Sequence, residues 1–208
     1  MSNVIQGSPE WFAQRLGKVT ASRLVDVLAK VKAGEAAARA NYRAELVAER
    51  LTGKVAEGFS NAAMKWGTDC EPLARAAYEA EFGLLVEEVG MVQHPTIANT
   101  GASPDGLVST GGLIEIKCPE TKAHIDTLLS RAAPAKYIPQ MQWQMACTGR
   151  AWVDFVSFDP RMPSDLQLFV CRVLRDDDLI RQYETEVCAF LAEVDATVTS
   201  LTALRQAA

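Results

Sequence analysis

Apolar and polar positions follow two different periods along this chain, and the change from one to the other marks out its parts. From Gly112 to Cys118 side chains alternate at period two, with Ile114, Ile116 and Cys118 on one face and Leu113, Glu115 and Lys117 on the other. That pattern predicts a short strand. Further strands are predicted around 85–93, 98–108, 151–158 and 166–174. Helical spacing governs the rest. Ser8 as N-cap and Pro9 at the first helical position predict a helix through about Arg15, ended by Gly17. Thr20-Ala21-Ser22 opens a second helix that buries Leu24, Val27 and Leu28, and an Ala- and Arg-rich helix over 33–52 closes at Gly53. Thr68-Asp69-Cys70-Glu71 has the form of a capping box, with Thr68 as N-cap and Pro72 in the first turn of a helix reaching about Phe82. A helix near 137–148 and a final one over roughly 176–204 complete the set.

Helices, then a mostly antiparallel or mixed sheet, then helices again describe an α/β layered fold. With 208 residues, 49% of them hydrophobic, one domain with a proper core is expected. Its parts would be N-terminal helices over 8–66, a core at about 67–175 and a C-terminal helix at about 176–204. No apolar run approaches the ~18 residues needed to span a membrane, and the first residues lack a signal-peptide core, so a cytoplasmic protein without a membrane partner is expected. Five cysteines with no C-x-x-C pair read as reduced thiols. With only His94 and His124, neither a histidine metal centre nor a Ser-His-Asp triad is expected.

A net charge of −5 argues at first against nucleic acid, but the charge is uneven. Residues 1–66 hold ten Lys and Arg against six Asp and Glu, while residues 67–208 hold eleven against twenty. A basic N-terminal third suits phosphates, and acidic groups elsewhere suit a metal or solvent.

The chemistry concentrates in Asp105, Glu115 and Lys117. Glu115 and Lys117 share one strand face, about 7 Å apart. Asp105 lies ten residues before Glu115, in a Pro-Asp-Gly turn followed by the Gly111-Gly112 pair, a spacing that suits a hairpin. Two carboxylates and a lysine on one face are suited to Mg²⁺ and a phosphate. The pattern is PD…ExK, the signature of a large nuclease superfamily. Each piece also has an ordinary explanation. Glu-x-Lys is commonly a solvated strand face, Glu71 reads either as a helix cap or as a third carboxylate, and Arg15 with Ser22 reads as an anion site or as a capped turn. Tyr137, Gln140 and Gln144 share a helix face, with Met141, Met145 and Thr148 on a neighbouring stripe. The glutamines are either solvated or turned to phosphate or water.

Taken in order, Gly7-Ser8-Pro9-Glu10-Trp11, Arg15-Leu16-Gly17, Val19-Thr20-Ala21-Ser22, Trp66-Gly67-Thr68-Asp69-Cys70-Glu71, Ser103-Pro104-Asp105-Gly106-Leu107, Leu113 to Pro119, Gln140-Met141-Gln142 and Asp159-Pro160-Arg161-Met162 resemble the lambda-type phage alkaline exonucleases, or YqaJ-like viral recombinases. The resemblance covers about residues 6–190 and is loose over 30–66. It implies a restriction-endonuclease-like core, with a central mixed sheet flanked by helices. It also implies Mg²⁺-dependent 5′–3′ degradation of duplex DNA from its ends, with Mn²⁺ as a substitute ion, by a homotrimer working with a single-strand annealing protein. Asp105, Glu115 and the Ile116 carbonyl would hold the metal, Glu71 would complete the acidic cluster and Lys117 would activate water. Arg15, Ser22, Ser103 and Gln140 would bind the 5′-phosphate. The rival readings are a restriction-type endonuclease on the same core and a non-catalytic DNA-end-binding recombination protein.

Overall fold

The computed structural model describes residues 4–55 and 62–207. Its centre is the strand over Gly112–Lys117 (β6), in a five-stranded sheet ordered β2 (Val86–Glu87), β5 (Gly106–Val108), β6, β7 (Trp152–Phe158), β8 (Leu168–Leu174). β6 and β7 run parallel and the remaining pairs antiparallel, so the sheet is mixed as expected. β5 and β6 form the expected hairpin, with Gly106 opposite Ile114.

The period-two alternation of β6 holds, and both of its faces are buried. Ile114 and Ile116 pack with Val156 of β7 and with Ala74 and Tyr78 of a helix over Ala62–Phe82 (α4). Leu113 packs on the opposite side with Val153 and Phe155, against Met141 and Met145 of the helix Ile138–Thr148 (α6). The sheet is therefore sandwiched between α4 on one face and α6 on the other. Behind α6 lies the helix Asp177–Ala207 (α7), which packs on Ala37–Thr52 (α3) through the stacked rings of Tyr42 and Phe190, 5.7 Å apart.

Several boundaries differ from expectation, each for a local reason. The run at 98–108 divides into β4 (Thr100–Ala102) and β5, which belong to different sheets. Pro104 has no N–H for a ladder, and the chain changes sheet there. The run at 85–93 likewise divides into β2 and β3 (Val92–Gln93). β3 joins β4 and a short β1 (Val19–Thr20) in a second, three-stranded sheet that the sequence reading missed. The first helix (α1) spans Pro9–Arg15, with Ser8 Oγ accepting from the Trp11 N–H as predicted. The second is shorter than expected, a single 3₁₀ turn leading into Leu24–Val27 (α2). A helix over Thr121–Ser130 (α5) was also missed, because its buried positions are His124 and Thr127 and no apolar stripe announces it.

Thr68 is not an N-cap. It lies well inside α4, which begins upstream at Ala62 and carries Pro72 in its interior. Good helix formers such as Ala and Met ahead of Gly67 override the local capping signature.

Two statements about charge and apolarity also need revision. Within α7, the stretch Asp177–Gln206 is apolar and long enough by composition to cross a membrane, against the expectation that no such run exists. Its Ile180, Val187, Phe190 and Val194 lie in the core, and its Glu193 and Asp195 pair with arginines of α3. Nor is the basic N-terminal third a free phosphate-tracking surface. Arg23, Lys30, Arg39, Arg43 and Arg50, half of its ten cations, are ion-paired with carboxylates.

Candidate active site

All nine residues to which the resemblance gives a role line one cleft of about 560 Å³. The cleft opens where the chain leaves one sheet for the other at Ser103-Pro104-Asp105, beside the C-terminal end of β6.

One end is acidic. The Ile116 N–H donates to Asp105 Oδ2 at 2.7 Å, so the hairpin edge aims this carboxylate at β6. Glu115, with no exposure to solvent, is gripped from three directions. Lys117 Nζ lies 2.5 Å from Oε1, Gln140 Nε2 donates to Oε1 at 2.6 Å, and Gln144 Nε2 donates to Oε2 at 2.5 Å. Glu71, one turn before Arg75 on α4, accepts from the Arg75 guanidinium at 2.8 Å. It lines the cleft with Asp105 and Glu115, so its role is not that of a capping residue.

The electrostatics follow from crowding. Burial, then the charge of Glu115, pushes Asp105 well above the ordinary carboxylate range, against the pull of Lys117 and the Ile116 N–H. Burial also raises Glu71, countered by Arg75 and reinforced by Glu115. Burial alone would lower Lys117, but the charges of Glu115 and Asp105 and the hydrogen bond to Glu115 outweigh it and hold the ammonium firmly protonated. Cys118, at the rim, is no nucleophile, because burial pushes its thiol up to about 12.

The other end gathers an arginine, a tryptophan and hydroxyls, donors suited to an anion. The Arg15 guanidinium stacks 4.1 Å from the centre of the Trp11 ring and reaches toward Thr20 Oγ1 at 3.4 Å and Ser22 Oγ at 3.5 Å. Trp11 Nε1 donates to Ser103 Oγ at 3.0 Å. The hydrogen-bond partners of Arg15 among the described residues are hydroxyls rather than carboxylates, and burial lowers its pKa, because the cation is partly desolvated. A buried guanidinium of this kind favours a charged oxygen ligand. Gln140, expected in this anion pocket, lines the cleft at the border between the two ends and donates to Glu115.

Four participants were overlooked. Gln144 was placed on the right helix face but left without a partner; it is fully buried against Glu115. Trp11 stands four residues before Arg15 on one short helix, a spacing that could have exposed the pair. Arg75 carried the same i, i+4 signal with Glu71. Gln6, whose Nε2 donates to the carbonyls of Val89 and Pro104, had no sequence signal, since its partners lie 83 and 98 positions away.

Among the described residues no three His, Cys, Asp or Glu side chains meet as a ready-made metal cage. A donor set of two carboxylates and a peptide carbonyl nevertheless suits a hard cation that keeps much of its water, and the mutual repulsion of Asp105, Glu115 and Glu71 favours positive charge among them.

Comparison with known proteins bears on the fold and the family. The fold is that of the alkaline exonucleases. LHK-Exo in complex with dAMP is 57% identical over 96% of this chain and 98% of its own, with a TM-score of 0.89. The alkaline exonuclease LHK-Exo from Laribacter hongkongensis gives 56% identity, the same coverage and a TM-score of 0.88. A phage-related exonuclease from Haemophilus somnus 129PT shares only 18% identity over 88% of this chain and 96% of its own, and with a TM-score of 0.72 it speaks to the fold alone. A search of curated proteins gives no match. Residues 10–151 match the YqaJ-like viral recombinase domain, and the chain belongs to that family.

Proposed function

We propose that this protein is a Mg²⁺-dependent 5′–3′ exonuclease of duplex DNA, built on a PD-(D/E)xK site, that releases 5′-mononucleotides and leaves 3′ single-stranded overhangs for recombination. The observation that carries the reading is one cleft with opposite ends: carboxylates and a lysine at one, a desolvated arginine among hydroxyls at the other. The solved complex of LHK-Exo with dAMP, a 5′-nucleotide, supports it.

In this reading Arg15, Ser22, Ser103 and the Trp11 ring hold the terminal 5′-phosphate, and the acidic end meets the next phosphodiester along the strand. Asp105, Glu115 and the Ile116 carbonyl would hold Mg²⁺, or Mn²⁺ in its place, with Glu71 beside them. When bound, the ion polarises the phosphoryl oxygens and favours ionisation of a water molecule. Lys117 orients that water and offsets the charge that builds up as the water oxygen bonds to phosphorus and the bond to the 3′-oxygen breaks. The 3′-oxygen leaves with a proton from solvent. The phosphate attacked remains on the shortened strand as a new 5′-phosphate, ready for the Arg15 pocket.

The chain would work in the cytoplasm on DNA ends, with a single-strand annealing protein as partner. With half of its N-terminal cations already paired and a pI near 5.2, it has few free cations to neutralise phosphates. Retention on DNA then calls for enclosure, and we propose a homotrimeric ring. Light scattering should give three times the chain mass; a monomer arrested at once by competitor DNA would defeat the ring while leaving the chemistry intact.

Linear and circular duplexes, incubated with and without Mg²⁺, test the reading as a whole. Linear DNA should yield mononucleotides only with the ion, and circles should survive. Cleavage of circles would instead indicate a restriction-type endonuclease, and end binding without products a recombination scaffold.

A further inference from the structure

Helix α6 presents three buried or half-buried glutamines to its surroundings, and they do different things. Gln142 is structural: its Nε2 donates to the Leu174 carbonyl and its Oε1 accepts from the Asp176 N–H, tying α6 to the start of α7. Gln140 and Gln144, one turn apart, both donate to Glu115, but to different oxygens. Gln140 lines the open cleft, whereas Gln144 is completely buried and its own Oε1 has no hydrogen-bond partner among the described residues. An uncompensated buried amide oxygen is costly, so the position is not explained by packing alone.

We propose that Gln144 is the positioning residue for cation binding, the fixed anchor of Glu115. The inference rests on the metal-dependent reading of this site. Oε2 of Glu115 faces the interior and has Gln144 as its donor. Oε1 faces the cleft and has two donors, Gln140 and Lys117, both on the cleft wall. A cation can therefore take Oε1 while Gln140 and Lys117 turn to phosphate and water, and Glu115 keeps its orientation because Gln144 does not move. The carboxylate is shared between a permanent holder and exchangeable ones. The amide must point its nitrogen at Glu115 for this purpose, which leaves its oxygen without a donor.

The test compares the wild type with Gln144→Met and Gln142→Met, two near-isosteric changes at buried positions of one helix. Mn²⁺ binding is measured by calorimetry without DNA, with melting temperature recorded in parallel. Gln144→Met should weaken Mn²⁺ binding about tenfold, since Glu115 loses its inner donor and is free to rotate. Gln142→Met should lower the melting temperature and leave Mn²⁺ affinity within about twofold of the wild type. Equal Mn²⁺ affinity in Gln144→Met and the wild type would overturn the proposal, as would equal weakening in both variants, which would make the effect general loosening of α6. If the wild type itself binds no Mn²⁺, the metal-dependent reading fails and this inference falls with it.

Discussion

The two ends of the cleft are made in opposite ways. The acidic end rests on a central strand and a long helix: Glu115 lies in the middle of the sheet with three donors on it, and Asp105 is tied to the backbone of the same strand. The anion end rests on a seven-residue helix and a 3₁₀ turn, where the contacts of Arg15 to the hydroxyls are 3.4 and 3.5 Å long. A site that must hold a cation against crowded negative charge needs ligands that cannot drift. A pocket that takes one phosphate after another gains from loosely held donors, which tighten only around the anion. In the proposed reading, rigidity and looseness divide the work: one end would do the chemistry, the other would select the strand end.

The sharpest way to break this comparison is at the rigid end. Asp105→Ala or Glu115→Ala should remove nuclease activity by at least ~10³-fold, the scale of a lost metal-ligand contribution of several kcal/mol, with circular dichroism little changed. Mg²⁺-dependent digestion by either variant close to the wild-type rate would sink the assignment. Lys117→Ala should cost about 10²–10³-fold in rate, as for other electrostatic stabilisers. It should also bind Mg²⁺ at least as tightly as the wild type, because the ammonium sits on Glu115 Oε1, the oxygen that a bound ion would need. Calorimetry showing loss of ion binding would mean that Lys117 holds the site together instead.

At the loose end the effects are smaller and selective. Arg15→Ala should shrink the preference for 5′-phosphorylated over 5′-hydroxyl ends by about tenfold, the scale of a charge-assisted hydrogen bond of ~1.5 kcal/mol, with little change on hydroxyl ends. An unchanged ratio of the two rates would take Arg15 out of the pocket. The smallest effect concerns stability. Asp105 is raised well above its ordinary range in the folded state, so its ionisation opposes folding. The metal-free protein should lose stability as pH rises from the ordinary carboxylate range, near ~4, through the raised value. Asp105→Asn keeps an acceptor for the Ile116 N–H and cannot ionise. At neutral pH and without metal it should melt at a higher temperature than the wild type, and the difference should close as the pH falls toward ~4. A melting temperature for Asp105→Asn at or below that of the wild type at pH 7 would show that the carboxylate is relieved in some other way.

The sequence was legible where a residue's neighbours in space are also its neighbours at a regular period. The alternation of β6 placed Glu115 and Lys117 together, the Pro-Asp-Gly turn placed Asp105 beside them, and the Ser8-Pro9 start set the helix that carries Arg15. It misled at Thr68, where a local capping signature sits inside a longer helix whose stability comes from packing on β6 and β7. It was silent on Gln144, because a buried glutamine and a solvated one look alike until the strand beneath them is known. Strand boundaries failed at Pro104, where a single run of β-forming residues serves two sheets. That failure fell next to the chemistry, because the corner that ends one strand is what lifts Asp105 out of the ladder.

The side chain of Gln6, holding the carbonyls of Val89 and Pro104, bears on how such a protein comes to be made. Gln6 leaves the ribosome 83 and 98 positions ahead of its anchors, and the glutamines that grip Glu115 follow later still. Long-range closures of this kind form late, when most of the body is already in place. A newborn chain, or one cut short before Gln144, has pieces of the cleft but no working blade.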